Sequence, residues 1–253
     1  MNISWDAQKY TNDFSFVHEY GNSVMELIDF DNVKNAVDLG CGNGALTKKL
    51  KDKGIDVIGI DASEELLETA KSKYPDIEFI CGDAANFRLP EKVDLVFSNA
   101  VFHWIDEERQ SDMIKCVYDA LSSGGQFVFE FGGYGNNVKI HSALKAAFKE
   151  YGYEYSMPFY FPTIGDYSKK LENGGFLVKK AILFERPTLL KGENGMKDWI
   201  EMFVKIPFDT IADNDEKSRI IDGAVELLRD ELYTDGDWYA DYVRLRMKAV
   251  KVN

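Results

Sequence analysis

Through the first half of the chain, apolar residues fall in short runs, each closed by a turn signal. Between Phe14 and Phe30 the positions Val17, Val24, Leu27 and Ile28 recur at helical spacing, which predicts a helix. VKNAVDL (33–39) then reads as a buried strand, and GALTKKLKDKG (44–54) as a helix stopped by Gly54. IDVIGID (55–61) is a second strand. Ser63 can cap the helix EELLETAKSKY, whose opening glutamates suit the positive end of its dipole. IEFICGD (77–83) and VDLVFSNA (93–100) read as a third and fourth strand, a helix follows near Glu107–Leu121, and SSGGQFVFEF leads into a fifth strand. Strands alternating with helices predict parallel β-α-β units with helices on both faces of one sheet.

Beyond Gly132 the pattern changes. Tyr151, Tyr153, Tyr155, Phe159, Tyr160 and Phe161 cluster between breakers at Pro158 and Pro162. A short helix ending near Gly174–Gly175, a strand through Leu183 and helices near 195–204 and 214–232 come next. In YVRLRMKAV (242–250), Val243, Leu245, Met247 and Ala249 share one face at period two, which predicts an antiparallel strand. The fold class expected is α/β: a Rossmann-like, seven-stranded, mostly parallel sheet with one antiparallel strand and a helical cover over the strand ends. One domain is expected, with an N-terminal lid (1–30), a core (31–133), and a helical insert with C-terminal strands (134–253).

Composition narrows the partners. The 253 residues carry a formal net charge of −13, so the surface repels phosphate backbones and nucleic acid is not expected as a partner. No signal segment and no bilayer-spanning apolar run is evident, so no membrane is expected. Cys41, Cys81 and Cys116 are too scattered for a disulfide framework or a metal site, which fits a reduced, cytoplasmic setting.

The chemistry centres on AVDLGCGNGA (36–45), where Gly40, Gly42 and Gly44 stand between a strand and a helix. In an open α/β sheet this is where ligands bind. Gly40, Gly42 and Ala45 satisfy the loose dinucleotide pattern G-x-G-x-x-G/A, with Asp61 near the expected ribose-binding acid. Yet Asp38, Asp61 and Asp83 crowd the strand ends, where no Lys or Arg is expected, and no tyrosine is followed four residues later by lysine. A net-cationic ligand suits such a wall better than a pyrophosphate.

The motifs VDLGCGNG, VIGIDAS, ICGDAANF, VDLVFSNAVFHWI and LSSGGQFVFEF resemble, in order, those of class I S-adenosylmethionine-dependent methyltransferases. FSNAVFHW, FGGYGNN and FPTIGDYSKKLENGGF…FERPTLLKGENGMKDWIEMF look more narrowly like the trans-aconitate 2-methyltransferase-like branch, a resemblance extending over nearly the whole chain. It implies S-adenosyl-L-methionine as cofactor and a small-molecule acceptor methylated on a carboxylate or hydroxyl oxygen. It further implies that Gly40, Cys41, Gly42 and Gly44 form the loop beside the cofactor's methionine part, with Asp38 toward its ammonium. Asp61, with Ala62 beside it, would accept the ribose hydroxyls, and Asp83 with Ala84 would meet the adenine. Asn99 would lie under the methyl, and Tyr10 would close over the cofactor. His103 and Trp104 are the candidate acceptor contacts: His103 would face the acceptor, as base for a hydroxyl or positioning group for a carboxylate, while Trp104 packs inward. His103 is also open to a reading as a hydrogen-bonded spacer. Alternatives are a cofactor-binding regulatory protein without turnover, and an NAD-dependent oxidoreductase.

Overall fold

A computed structural model describes the backbone of residues 16–252 and the side chains of residues 21–252. In chain order the elements are α1 (Phe16–Met25), β1 (Asn35–Leu39), α2 (Ala45–Asp52), β2 (Asp56–Asp61), α3 (Glu64–Lys73), β3 (Glu78–Cys81), β4 (Val93–Asn99), α4 (Gln110–Ala120) and β5 (Leu121–Gly132). They continue with α5 (Val138–Glu150), α6 (Ile164–Asn173), β6 (Phe176–Glu185), β7 (Thr188–Leu190), α7 (Gly195–Phe203), α8 (Asn214–Leu232), β8 (Tyr233–Thr234), β9 (Asp237–Ala240) and β10 (Val243–Lys251).

Among the described residues, seven strands form one sheet in the order β3-β2-β1-β4-β5-β10-β6. Pairing is parallel from β3 through β5, and β10 runs antiparallel to both β5 and β6. The order reverses at β1 and β4, so the carboxyl ends of these two strands open a crevice. The expected sheet is therefore present.

Local chemistry fixes the helix boundaries. Ser63 Oγ accepts from Leu66 N at 3.3 Å to start α3, and Thr163 and Asp213 do the same for α6 and α8. The helix expected over 14–30 is shorter, ending at Met25, and a 3₁₀ turn at Phe30–Asn32 leads into β1.

Each sheet face buries its own apolar layer. One holds Val37, Phe102, Phe127, Phe129 and Leu245; the other holds Val24, Leu50, Leu95 and Phe97. A further cluster joins α5, α7 and α8 through Ile140, Phe148, Trp199, Ile200 and Leu228, with Trp238 from β9. Burying side chains of this size stabilises by about 1.5–3 kcal/mol each. The helical insert expected over 134–253 with its C-terminal strands also contains a second, small sheet, β7-β9-β8. Its hairpin turns at Asp235 and Gly236, whose φ values of 54° and 90° suit a tight two-residue turn.

Candidate functional site

Beyond the carboxyl ends of β1, β2 and β4 lies a cavity of about 540 Å³. Its wall includes Gly40, Gly42, Asp61, Ala62, Asp83, Ala84, Asn99 and Trp104, which the sequence had marked, together with Arg109, which it had not. Tyr10 lies outside the described residues.

Three glycines turn the chain from β1 into α2, for different reasons. Gly40 has φ +78°, and a Cβ there would stand 2.1 Å from Val101 Cγ2. Gly44 would strike Phe79 at 2.8 Å. At Gly42, with φ +53°, the nearest atom to an added Cβ is Leu66 Cδ1 at 4.0 Å, so its open side faces the cavity. Close packing thus accounts for Gly40 and Gly44, and Gly42 is the position where a ligand can approach bare backbone. The Cys41 side chain does not line the cavity; it packs with Leu67, Ala70, Ile77 and Phe79.

Asp61 ties the loop to the following helix. Its Oδ2 accepts from Gly42 N and its Oδ1 from Ser63 N, both at 2.8 Å. Burial raises its pKa, against the lowering effect of these backbone donors. Ala62 N–H also bonds this carboxylate, which still keeps acceptor capacity for a ligand hydroxyl. Asp38 sits behind the cavity wall, 1% exposed, accepting from Thr47 Oγ1 at 2.7 Å. Burial, reinforced by the charge of Asp61, lifts its pKa to about 7 despite the Thr47 bond.

Asp83 corrects the reading of the strand ends as free of cations. Its Oδ2 accepts from Arg109 Nη2 at 2.6 Å, and its Oδ1 from Ala85 N at 2.9 Å. Partial burial works to raise its pKa, but the Arg109 and Ala85 donors outweigh it and hold the carboxyl below its ordinary value. Arg109 comes from the 3₁₀ turn ahead of α4, 26 residues along the chain, so no strand-end motif announces it.

After β4 the chain passes Ala100, a non-glycine residue with φ +64°, whose N–H donates to Glu130 O at 2.7 Å. Such a conformation costs about 1–3 kcal/mol and is held by its surroundings. The turn Phe102–Trp104 follows. Phe102, not Trp104, is the inward anchor: it is fully buried, with ring centroids 5.3–5.7 Å from Phe127, Phe129 and Phe131. Gln110 Nε2 donates to Phe102 O and Ile105 O, both at 2.8 Å, and Tyr167 Oη donates to Gln110 Oε1 at 3.0 Å. This buried network fixes the turn.

Trp104 stands between two hollows. With Ala100 it lines both the large cavity and a chamber of about 40 Å³ whose wall includes His103, Asn137, Phe159, Phe161 and Arg244. His103 Nδ1 accepts from Gly132 N at 3.3 Å. Burial, and then the charge of Arg244, push the imidazole's pKa well below its usual value. His103 is therefore neutral, and with Nδ1 accepting from Gly132 its proton sits on Nε2, an arrangement that suits a hydrogen-bond donor better than a base.

Arg244, only 6% exposed, was missed in the sequence; its guanidinium lies 4.1 Å from the centroid of Tyr242. The Asn137 amide is 3% exposed, and its Oδ1 has no hydrogen-bond partner among the described residues. Two other cations of the cover are engaged elsewhere: Arg186 pairs with Glu130, and Lys197 with Asp222 at 2.6 Å. No metal-binding group of His, Cys, Asp or Glu occurs among the described residues, and no described helix is long and apolar enough to cross a membrane.

Comparison with known proteins places this arrangement. Residues 36–125 match a family model described as a methyltransferase domain. An uncharacterized methyltransferase of Schizosaccharomyces pombe is 30% identical over 259 residues, covering 98% of each chain. Trans-aconitate 2-methyltransferase of Agrobacterium fabrum is 34% identical over 128 residues, covering 49% of this chain and 48% of that protein. The narrower resemblance therefore extends over half the chain, not nearly all of it. A phosphoethanolamine N-methyltransferase of Haemonchus contortus, solved with phosphomonomethylethanolamine and S-adenosylhomocysteine, shares the fold with a TM-score of 0.57 at 17% identity, covering all of this chain and 61% of that one. The full-length relative, the matched domain and the strand order agree: the chain belongs to the class I S-adenosylmethionine-dependent methyltransferases.

Proposed function

We propose that the chain binds S-adenosylmethionine in the large cavity and directs its methyl group onto a carboxylate oxygen of a small acid held in the chamber. The observation that carries this reading is the shared wall: Ala100 and Trp104 border both hollows, so two ligands placed in them meet there. When bound, the cofactor supplies an electrophilic methyl on a sulfonium. The residues facing it suit such a cation. Asp61 offers lone pairs to the ribose hydroxyls, and Gly42 leaves the backbone bare. Asp61, and Asp38 once ionised, favour positive charge in a partly dry cleft, while Arg109 offsets Asp83. A dinucleotide fits less well, because Arg109, the cation its pyrophosphate would use, is committed to Asp83. The resemblance of the Haemonchus fold, solved with the demethylated product, supports the same choice.

The chamber's chemistry selects the acceptor. Among its described lining residues Arg244 is the charged one, which fits a single carboxylate better than the three of trans-aconitate. His103 Nε2 supplies a neutral donor beside it. A carboxylic acid is already ionised at neutral pH, so its oxygen attacks without a base. In that step an O–CH₃ bond forms, the S–CH₃ bond breaks, and its electron pair stays on sulfur. Orientation is the protein's main contribution, worth on the order of 7–11 kcal/mol for well-aligned reactants. A hydroxyl acceptor would need a base that His103 does not provide.

Calorimetry with S-adenosylmethionine, S-adenosylhomocysteine and NAD, followed by labelled-methyl transfer to monocarboxylic acids and the matching alcohols, tests this. Binding of the first two ligands and transfer to acids are expected. Binding of NAD alone, or transfer to alcohols alone, would contradict it.

A further inference from the structure

The small chamber has room for little beyond an acceptor's reacting head. It shares Asn136 and Phe161 with a third hollow, a recess of about 370 Å³ opening on the surface. The three hollows thus lie in series from the cofactor cavity outward. Phe159 and Phe161 stack at 5.5 Å and stand at the boundary, with His103 6.0 Å from each ring and His141 5.4 and 6.2 Å away on the recess side.

Two independent features mark the recess as a binding surface. Its rim presents Tyr134, Val138 and Met157, which are 65%, 57% and 45% exposed although apolar. His141, only 6% exposed, reaches the recess from α5, and its Nε2 has no hydrogen-bond partner among the described residues. A buried polar atom left in that state carries a penalty that a ligand partner would relieve. Its Nδ1 lies 2.7 Å from Tyr155 Oη. Burial raises the phenol's pKa and lowers that of His141 to about 4, so both are neutral. With the phenol as donor to Nδ1, the proton of His141 sits on Nε2.

Resting on the methyl-transfer reading above, we propose that the recess holds the far end of an elongated, amphiphilic acceptor. The acceptor's apolar tail lies against Tyr134, Val138 and Met157, and a neutral oxygen on that tail accepts from His141 Nε2. The acid head passes the Phe159–Phe161 pair into the chamber, and Lys145 at the recess wall draws the anion toward an otherwise acidic protein. The volume falls within the range of about 300–1,000 Å³ usual for small-molecule sites.

The test uses butyric acid, octanoic acid and the octanoic analogue carrying a ketone near its tail. Each is titrated calorimetrically into the protein loaded with S-adenosylhomocysteine. Octanoic acid should bind at least about tenfold tighter than butyric acid, because its extra methylenes leave water, and the keto acid tighter still. Met157→Asp, at an exposed site that leaves folding intact, should cancel the advantage of the long acids. His141→Phe should erase the preference for the ketone, and His141→Gln, which keeps a donor, should restore part of it. Equal binding of short and long acids, or a long-acid advantage surviving Met157→Asp, overturns the proposal. If long acids bind as expected but none is methylated, the assignment of acids as acceptors fails while the recess stands.

Discussion

Gly132 donates its backbone N–H to His103 Nδ1 at 3.3 Å, and this one contact decides what the histidine can do. A buried imidazole held in that tautomer offers a proton on Nε2 and no free lone pair. His103→Gln should therefore retain most activity, since a glutamine amide still donates. His103→Ala should raise the acceptor's KM more than it lowers kcat. With cofactor saturating, kcat/KM for the acceptor should stay level across about pH 6–8, because His103 titrates well below the usual range near 6.5. An activity limb near that value, abolished in His103→Gln, would return the residue to a base role.

Asp38 provides a proton-linked signal. Its pKa of about 7 in the ligand-free protein exceeds the ordinary 3.8, so the folded state binds more protons than the unfolded chain between those values. The resulting stability is complete below about pH 4 and is lost as pH rises through 7. Wild-type protein should accordingly lose stability relative to Asp38→Asn over that interval, as read by thermal melts. A bound cation favours the ionised carboxylate, so S-adenosylmethionine binding near pH 7 should release protons and tighten as pH rises. Calorimetry in buffers of different ionisation enthalpy measures the release, which Asp38→Asn should reduce. Proton uptake in the wild type would contradict this placement of charge.

The glycine loop separates stability from binding. Gly40→Ala combines a left-handed backbone with a Cβ 2.1 Å from Val101, and should cost about 2–5 kcal/mol in denaturant unfolding. Gly42→Ala meets nothing closer than 4.0 Å and should cost only about 1–2 kcal/mol. Its cofactor affinity should nevertheless fall at least about tenfold. Equal effects of the two substitutions on binding would mean that Gly42 is as structural as Gly40.

Arg244 is the residue proposed to hold the acid, and it lines the chamber. Arg244→Met keeps an unbranched apolar stem and removes the charge, together with the guanidinium that lies over Tyr242. Losing one charge-assisted contact, worth about 1.5–3 kcal/mol, should raise the acceptor's KM roughly tenfold to a hundredfold with cofactor affinity preserved. An unchanged KM would remove Arg244 from the acceptor site.

How much of this was legible follows from the residues. The sheet could be read because parallel strands buried on both faces are nearly continuous apolar runs, as in AVDL and DLVFSN. The second sheet was missed because its strands have only two to four residues, although Asp235-Gly236 between Thr234 and Asp237 is a hairpin signal. Strand-end aspartates could be located by motif, whereas Arg109 reaches Asp83 through tertiary packing. Arg244 did leave a trace. The alternation that puts Val243, Leu245 and Met247 on one face of β10 puts Arg244 and Arg246 on the other. A strand flanked on both sides must bury those cations against partners, as Arg246 does against Glu130 at 2.6 Å. Only the assembled cover shows that Arg244 borders a chamber.

Transfer of a labelled methyl group from S-adenosylmethionine to a monocarboxylic acid, followed by mild base, tests the central claim most directly. The account predicts label in an ester that base hydrolyses to volatile methanol, with Arg244→Met lowering the yield at subsaturating acid. Label retained in a base-stable product, or no transfer to any acid by protein that binds the cofactor, would contradict it.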